Sequence, residues 1–403
     1  MKTASIGDRI KELREFRDIT QEQLAERAHV HVDTIRKLEQ NVRRSARIDT
    51  LRALARALDV QLERLLGQPT VTQELSEDGG LIALRDAIQD ISALPGVLAD
   101  DNLEDPPRAD AWISSVKDAT SRYWAGDYSQ LSSTLPLILR DGRAVAREAG
   151  TDRVWQQLAL AYQLAASLSA QAGHPDWAFA AVEKQLAAAQ RASDPLMEGM
   201  GISTLSWVLL RQGRWEHAQD VAERKADALE PPSFRRATPA QLAVYGNLLV
   251  AAATPAARRD NRAVAVELLN AAETAATRSG PVRAYGSAFS VVDVRTQQVN
   301  IALAGQEPEP AEALKLSRKV DVDEIARPVH SAAHRVDVAQ ARYQTGDHDG
   351  ALEKLLEVES DQPEWIRFQT LAASMVREML EAERRRNTAL RSLAARLGVD
   401  PTL

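Results

Sequence analysis

Across residues 6–67 the apolar positions recur at three- and four-residue steps, broken by short polar turns, the pattern of helices that each bury one face. Ile6, Ile10, Leu13 and Phe16 predict a first helix, Ile6 to Arg17, with these four side chains on its inner face. Thr20-Gln21-Glu22-Gln23 reads as a capping box, in which the Thr hydroxyl and the Gln23 side chain satisfy orphan backbone donors reciprocally. A second helix therefore starts at Gln21 and runs to Arg27. The turn Ala28-His29-Val30 leads into a third, Val32 to Gln40, with Ile35 and Leu38 inward, and Thr50 to Leu58 and Leu62 to Leu66 follow.

From Gln68 to Gly80 the chain turns polar, so residues 1–68 form one predicted domain and 69–108 a linker. The linker carries one helix, Leu81 to Ile91, read as a coupling element or as the first cap of a repeat region. Residues 109–403 repeat a simpler rhythm, in which an Ala/Leu-rich helix, a short Gly or Asn turn and a second helix succeed one another. The turns fall at Gly126, Gly173, Gly213, Asn261, Gly305 and Gly346, spaced 47, 40, 48, 44 and 41 residues apart. Six helical hairpins at near-regular spacing predict an α-solenoid, with the charged stretch Glu364 to Leu397 as its terminal cap and Arg384-Arg385-Arg386 on a solvated face.

Composition agrees with an all-α chain, because 44% of residues are hydrophobic, dominated by Ala and Leu, and aromatics make up only 4%. The chain has no cysteine, which excludes disulfides, thiolate metal sites and a cysteine nucleophile and fits a reducing compartment. No apolar signal region opens the sequence and no eighteen consecutive apolar residues occur, so a cytoplasmic protein with no membrane partner is expected. Charge is uneven: residues 1–68 carry 14 Lys and Arg against 11 Asp and Glu, a net of +3, leaving −10 on the rest of a chain whose net is −7. A small basic head on an acidic body suits local contact with a polyanion.

The head resembles the xenobiotic-response-element (XRE) family of helix-turn-helix domains. The likeness rests on Ile6-Gly7-Asp8-Arg9-Ile10, Thr20 through Glu26, Thr34 through Glu39 and Leu51 through Leu58. His29, Asn41 and Asp59 stand where that family usually has Gly, and all three belong to the residue types that tolerate φ > 0. His31 and Gln61 replace the usual capping Ser, so the third and fifth helices are expected to fray slightly. The resemblance implies a five-helix domain whose third helix enters the major groove of double-stranded DNA, reading bases through His31, Val32, Asp33, Thr34 and Lys37. Gln21, Arg36, Arg43, Arg44 and Arg47 are placed to meet phosphates, which set register and affinity without reading sequence. One such domain makes few contacts, so a homodimer on two half-sites of an operator is the expectation.

The turn at Gly213-Arg214-Trp215 and the segment Gly346 through Ala351 resemble tetratricopeptide repeats, although their spacing is longer than that family's. A helix-turn-helix head on a tetratricopeptide-like solenoid is similar to actinobacterial XRE-type regulators and, in architecture, to the RRNPP peptide-pheromone receptors. That likeness implies a transcriptional regulator whose body senses a peptide, a small molecule or a protein partner. Asn247, Gln297, Gln298 and Asn300 are candidates to clamp such an effector, with Trp207 and Tyr245 as apolar walls. A reading of another class makes the chain an interaction scaffold or anti-activator acting through its repeats; a third makes it an enzyme acting through the repeat groove. GxxxxGK[ST], GxSxG and HExxH are all missing from the sequence, so no catalytic residue or cofactor is assigned. His330 and His334, four apart beside Asp347, His348 and Asp349, are read as surface residues and no metal site is expected.

Overall fold

A computed structural model describes residues 5–17, 19–42, 46, 48–58, 60, 65, 80–90, 106–382 and 387–400. The chain divides into two compact units. One contains Met1–Thr72, Arg211–Arg214 and Ile366–Leu403; the other contains Gln73–Leu210 and Trp215–Trp365.

The head unit begins with α1 (Ile6–Phe16), α2 (Gln21–Ala28), α3 (Val32–Glu39) and α4 (Ile48–Ala57). Capping boxes start α1, between Ser5 and Asp8, and α2, between Thr20 and Gln23. Ile10, Leu24, Ile35, Leu38, Leu51, Leu54 and Leu58 converge in one core. Gly7 lies so close to the Leu38 carbonyl that a β-carbon would collide with it, which lets α1 and α3 approach closely. Phe16 departs from expectation, being 83% exposed. At about 100° per residue it sits roughly 80° round the helix from Ile6, off the stripe that Ile6, Ile10 and Leu13 define. Most of the predicted helix Leu62–Leu66, together with Asp59, Gln61 and Arg384 to Arg386, lies outside the described residues.

The end of the chain sits with the head rather than capping the repeats, so contact does not follow the 109–403 division. Helix α19 (Thr370–Glu381) packs on α4 and on α20 (Thr388–Arg396), and its Leu371 leans on the head's core. The contact is made by an apolar side chain, Leu371, placed at the start of α19 where it reaches that core.

The repeat body starts with α5 (Gly80–Ile88), the helix expected in the linker, which buries Leu81, Leu84 and Ile88 against α7 to α9. Arg143 fastens it by donating to the Ala87 carbonyl at 2.9 Å and to the Asp90 carboxylate. Six helical hairpins follow: α6 (Ala109–Ala125) with α7 (Tyr128–Ala149), α8 (Asp152–Gln171) with α9 (Pro175–Arg191), and α10 (Pro195–Arg211) with α11 (Trp215–Leu229). The others are α12 (Pro239–Arg258) with α13 (Arg262–Ser279), α14 (Val291–Ala302) with α15 (Pro310–Ser317), and α16 (Pro328–Gln344) with α17 (His348–Asp361), after which comes the short α18 (Pro363–Arg367). A left-handed residue turns each pair, namely Gly126, Gly173, Gly213, Asp260, Gly305 and Gly346; five stand at the expected positions, and in the fourth turn it is Asp260, one residue before Asn261. Alanine dominates the helix contacts, with Ala165, Ala181, Ala218, Ala252, Ala272 and Ala339 all buried.

Two features of this unit are not visible in the helical pattern. First, the array closes on itself: α6 packs against α16, and the backbone N–H groups of Tyr128 and Ser129 both donate to the Glu364 carboxylate at 2.9 Å. Second, a short antiparallel β-hairpin interrupts the all-α reading, pairing β1 (Val282–Ala284) with β2 (Ser287–Phe289). Tyr285 and Gly286 at its tip are both left-handed, as a tight two-residue turn with the twist of the strands requires.

Candidate functional site

The turn between α2 and α3 is built by two side chains. His29 takes φ 51°, so its N–H reaches back to the Glu26 carbonyl and that of Val30 to Ala25. His31 then caps α3, its Nδ1 accepting from the Asp33 N–H at 3.2 Å. The expected fraying of this helix is thus countered, because an imidazole nitrogen serves as the acceptor that a Ser hydroxyl ordinarily supplies. Asn41, also left-handed at φ 57°, ends the segment after α3 and donates to Asp8 at 3.1 Å.

One buried charge network fixes the angle between α1, α2 and α3. Glu39 at the end of α3 has a side chain only 3% exposed and accepts from Arg14 Nε at 2.7 Å and Arg14 Nη2 at 2.9 Å. Gln21 Nε2 donates to the same carboxylate at 2.7 Å, and Arg14 also donates to the Ile19 carbonyl. The bond to Glu39 outweighs burial and raises the Arg14 pKa above its ordinary value. Gln21, predicted at a phosphate, therefore commits its side-chain N–H to orienting the third helix. Sequence periodicity marks neither Arg14 nor Glu39, since both lie one residue beyond an apolar position and read as solvent-facing.

Of the remaining residues predicted at DNA, His31, Asp33, Arg36 and Lys37 are exposed and Thr34 is half-buried. They share the N-terminal part and the outer side of α3. Lys37 pairs with Asp33 at 3.3 Å along the helix, and Arg36 pairs with Glu22 of α2 at 2.8 Å. Both pairs are largely exposed, where such bonds contribute little and exchange readily for a phosphate or a base edge. Val32 is half-buried and rests against the head's core, leaving only part of its surface for a thymine methyl. Arg43, Arg44 and Arg47 lie outside the described residues.

The effector candidates do not form one cluster. Tyr245 is buried in the body's core, edge-on to Phe234 at 5.8 Å. Asn247 donates to its own helix at Ala243 and accepts from Ser287 of the β-hairpin, while Asn300 donates to both oxygens of Asp337. Trp207 and Gln297 are half-buried. Gln298 donates to Glu273 and lines a cavity of about 380 Å³ between α13, α14 and α15, with Leu269, Ile301 and Leu316 among its apolar lining and Arg295 and Glu312 among its charged lining. His334 is buried rather than at the surface, and burial, then the neighbouring Arg335, pushes its pKa down to about 4. Among the described residues no cluster of His, Asp and Glu is arranged to hold a metal, and no helix is long and apolar enough to cross a membrane.

Comparison with known proteins agrees with the geometry of the head. A family described as "Helix-turn-helix" matches residues 10–65. The immunity repressor protein of Bacillus phage phi105 is 36% identical over 70 residues, which cover 17% of this chain and 48% of that protein. The chain thus spans about half the length of the curated relative it matches. The N-terminal segment is an XRE-type helix-turn-helix domain, and the region beyond it is a long helical array.

Proposed function

We propose that this chain is a sequence-specific DNA-binding transcriptional regulator of the cytoplasm. The observation that carries the reading is the outer side of α3. There Asp33, Thr34 and Lys37 are presented by a capped helix whose angle is locked by the Arg14–Glu39–Gln21 network. A helix so held enters a major groove as a preformed element, with Lys37 donating to guanine, Thr34 meeting a thymine methyl and Arg36 released to a phosphate. The repressor named for the related phage protein supports the same direction. Two heads on a two-fold operator supply the affinity that one small domain lacks, so the active form is a homodimer.

The body is the sensor in this proposal, responding to a peptide, a small molecule or a protein. Its support is connectivity: Glu364, which closes the array onto α7, lies two residues before Ile366, where the chain passes into the head unit. An effector acts only if it binds the two arrangements of the body unequally. Selection of duplexes from a random pool, followed by binding at two salt concentrations, tests the DNA reading. A two-fold symmetric sequence is expected, and Lys37→Ala should weaken it about tenfold to a hundredfold while leaving bulk DNA nearly unaffected. Equal affinity for all duplexes at physiological salt would overturn it.

A further inference from the structure

The β-hairpin is packed from several sides by the body's own first-position helices and the turns beside them. Its tip residue Gly286 abuts Leu160 and Gln163 of α8, and its Tyr285 hydroxyl donates to Asp194, the residue before α10. Ser287 bonds to Asn247 of α12, and Phe289 fills the space that Gly246 leaves on the same helix. From the residue before α16 comes Arg327, whose Nη2 donates to the Gly286 carbonyl at 3.0 Å. A closed array of hairpins therefore holds an extended segment of its own chain on its inner side.

Arg327 also closes the array. Its guanidinium lies 3.5 Å over the ring of Trp124 on α6, and His330 in the first turn of α16 meets the same indole edge-on at 5.0 Å. One side chain thus touches the first hairpin and the β-hairpin from the start of the last. We propose that the β-hairpin is a strap that covers the inner side of the repeat array, latched by Arg327, and that releasing this latch uncovers α8 at Gln163 without unfolding the body.

Three observations mark the latch as poised rather than permanent. Arg327 is 7% exposed, and its Nη1 is buried with no hydrogen-bond partner, so the guanidinium is incompletely satisfied. Burial brings its pKa down to about 9, with Asp293 only partly offsetting that effect. Tyr285, a bulky residue, is held at φ 51°, a conformation that persists only while its surroundings enforce it. Against these stand two anchors that keep the strap attached when its tip lifts, namely buried Phe289 and the bond from Arg283 to the Ala326 carbonyl at 3.1 Å.

This inference does not depend on what the head binds, and it is tested on the full chain. Because the protein has no cysteine, Gln163→Cys introduces a single thiol beneath the strap, and Ser169→Cys introduces one in the buried core of the same helix. Maleimide labelling of each is followed with and without Arg327→Ala, with Arg327→Lys as the milder variant should the alanine protein not fold. Losing the latch should speed labelling at position 163 roughly tenfold and leave position 169 unchanged, since labelling tracks the open population. An unchanged rate at 163 would overturn the latch. An equal rise at both positions would overturn it too, because Arg327 would then be holding the whole body together.

Discussion

The head and the repeat body solve the same problem, fixing the angles between helices, with opposite chemistry. The head uses charge: three short helices are tied through Glu39, with Arg14 and Gln21 converging on one buried carboxylate. The body uses shape, with Ala against Ala at most contacts and a few keyed fits such as Phe289 into the gap at Gly246. The head has too few residues to bury a large apolar core, so a directional bond specifies what packing alone would leave loose. The body has area to spare and needs only close approach. This contrast predicts that damage to each unit obeys a different rule, and the tryptophans make it measurable. All 7 of them, at 112, 124, 155, 177, 207, 215 and 365, belong to the body, so their fluorescence reports that unit alone.

The largest effect is expected in the body. Phe289→Ala empties a fully packed site and should cost about 3–5 kcal/mol, read as a lowered urea midpoint of tryptophan fluorescence. Binding to the operator by the same variant at low temperature should survive, because the head's core shares no residue with that site. Loss of fluorescence and DNA binding together would break the comparison by making the two units one cooperative block.

In the head the corresponding lesion is Glu39→Ala, which leaves the Arg14 guanidinium half-buried without its partner and should cost roughly 3 kcal/mol. Here the readout reverses: DNA binding should fall while the tryptophan transition stays in place. Replacing Arg14 as well, in Arg14→Met with Glu39→Leu, should recover much of the stability, since a buried pair exchanged for apolar residues of similar size is often neutral. Failure of that rescue would mean the network stabilises by more than the pairing of its charges.

How much of this was legible beforehand obeys the same divide. The capping box at Thr20, the left-handed His29 and Asn41 and the inter-helix turns are local events, and residue types mark where they fall; the box between Ser5 and Asp8 is equally local but goes unread in the sequence. What else escaped was long-range. Closure of the array joins Tyr128 to Glu364, a bond across more than two hundred residues that no periodicity announces. An all-α reading provides for no strands, and packing against α8, α12 and Arg327 accompanies the pairing of the two between Gly280 and Ser290. Phe16 shows the limit of counting steps of three, which drift round a helix when they are not balanced by steps of four. Within the candidate site, residue type is enough to propose Thr34, Lys37 and Arg36, whereas the allocation of Gln21 to Glu39 depends on a partner eighteen positions away.

A third effect, smaller at any one pH, distinguishes the units by titration. His334 lies in the body with a pKa near 4 when folded, against an ordinary value of about 6.5. Below pH 6.5 the unfolded chain takes up a proton that the folded chain refuses, so this contribution is fully present above 6.5 and declines as pH falls towards 4. Each pH unit in that window should remove up to roughly 1.4 kcal/mol from the tryptophan-monitored stability. His334→Gln should flatten the slope whatever it does to stability at pH 7. An identical slope in the two proteins would show that the buried imidazole is not what the body titrates through.

The finest test concerns His31, which is exposed at the start of α3. His31 caps α3 through Nδ1, so His31→Ala removes an acceptor from an orphan N–H and should cost about 1 kcal/mol, whereas His31→Ser should cost almost nothing. The same residue faces solvent at the start of α3, where the DNA reading also gives it a base to contact. Serine restores the cap without the ring, so a serine protein as stable as wild type yet weaker on the selected duplex would separate the two roles. If serine restores binding as well, His31 acts through the helix it starts and contributes nothing of its own to recognition.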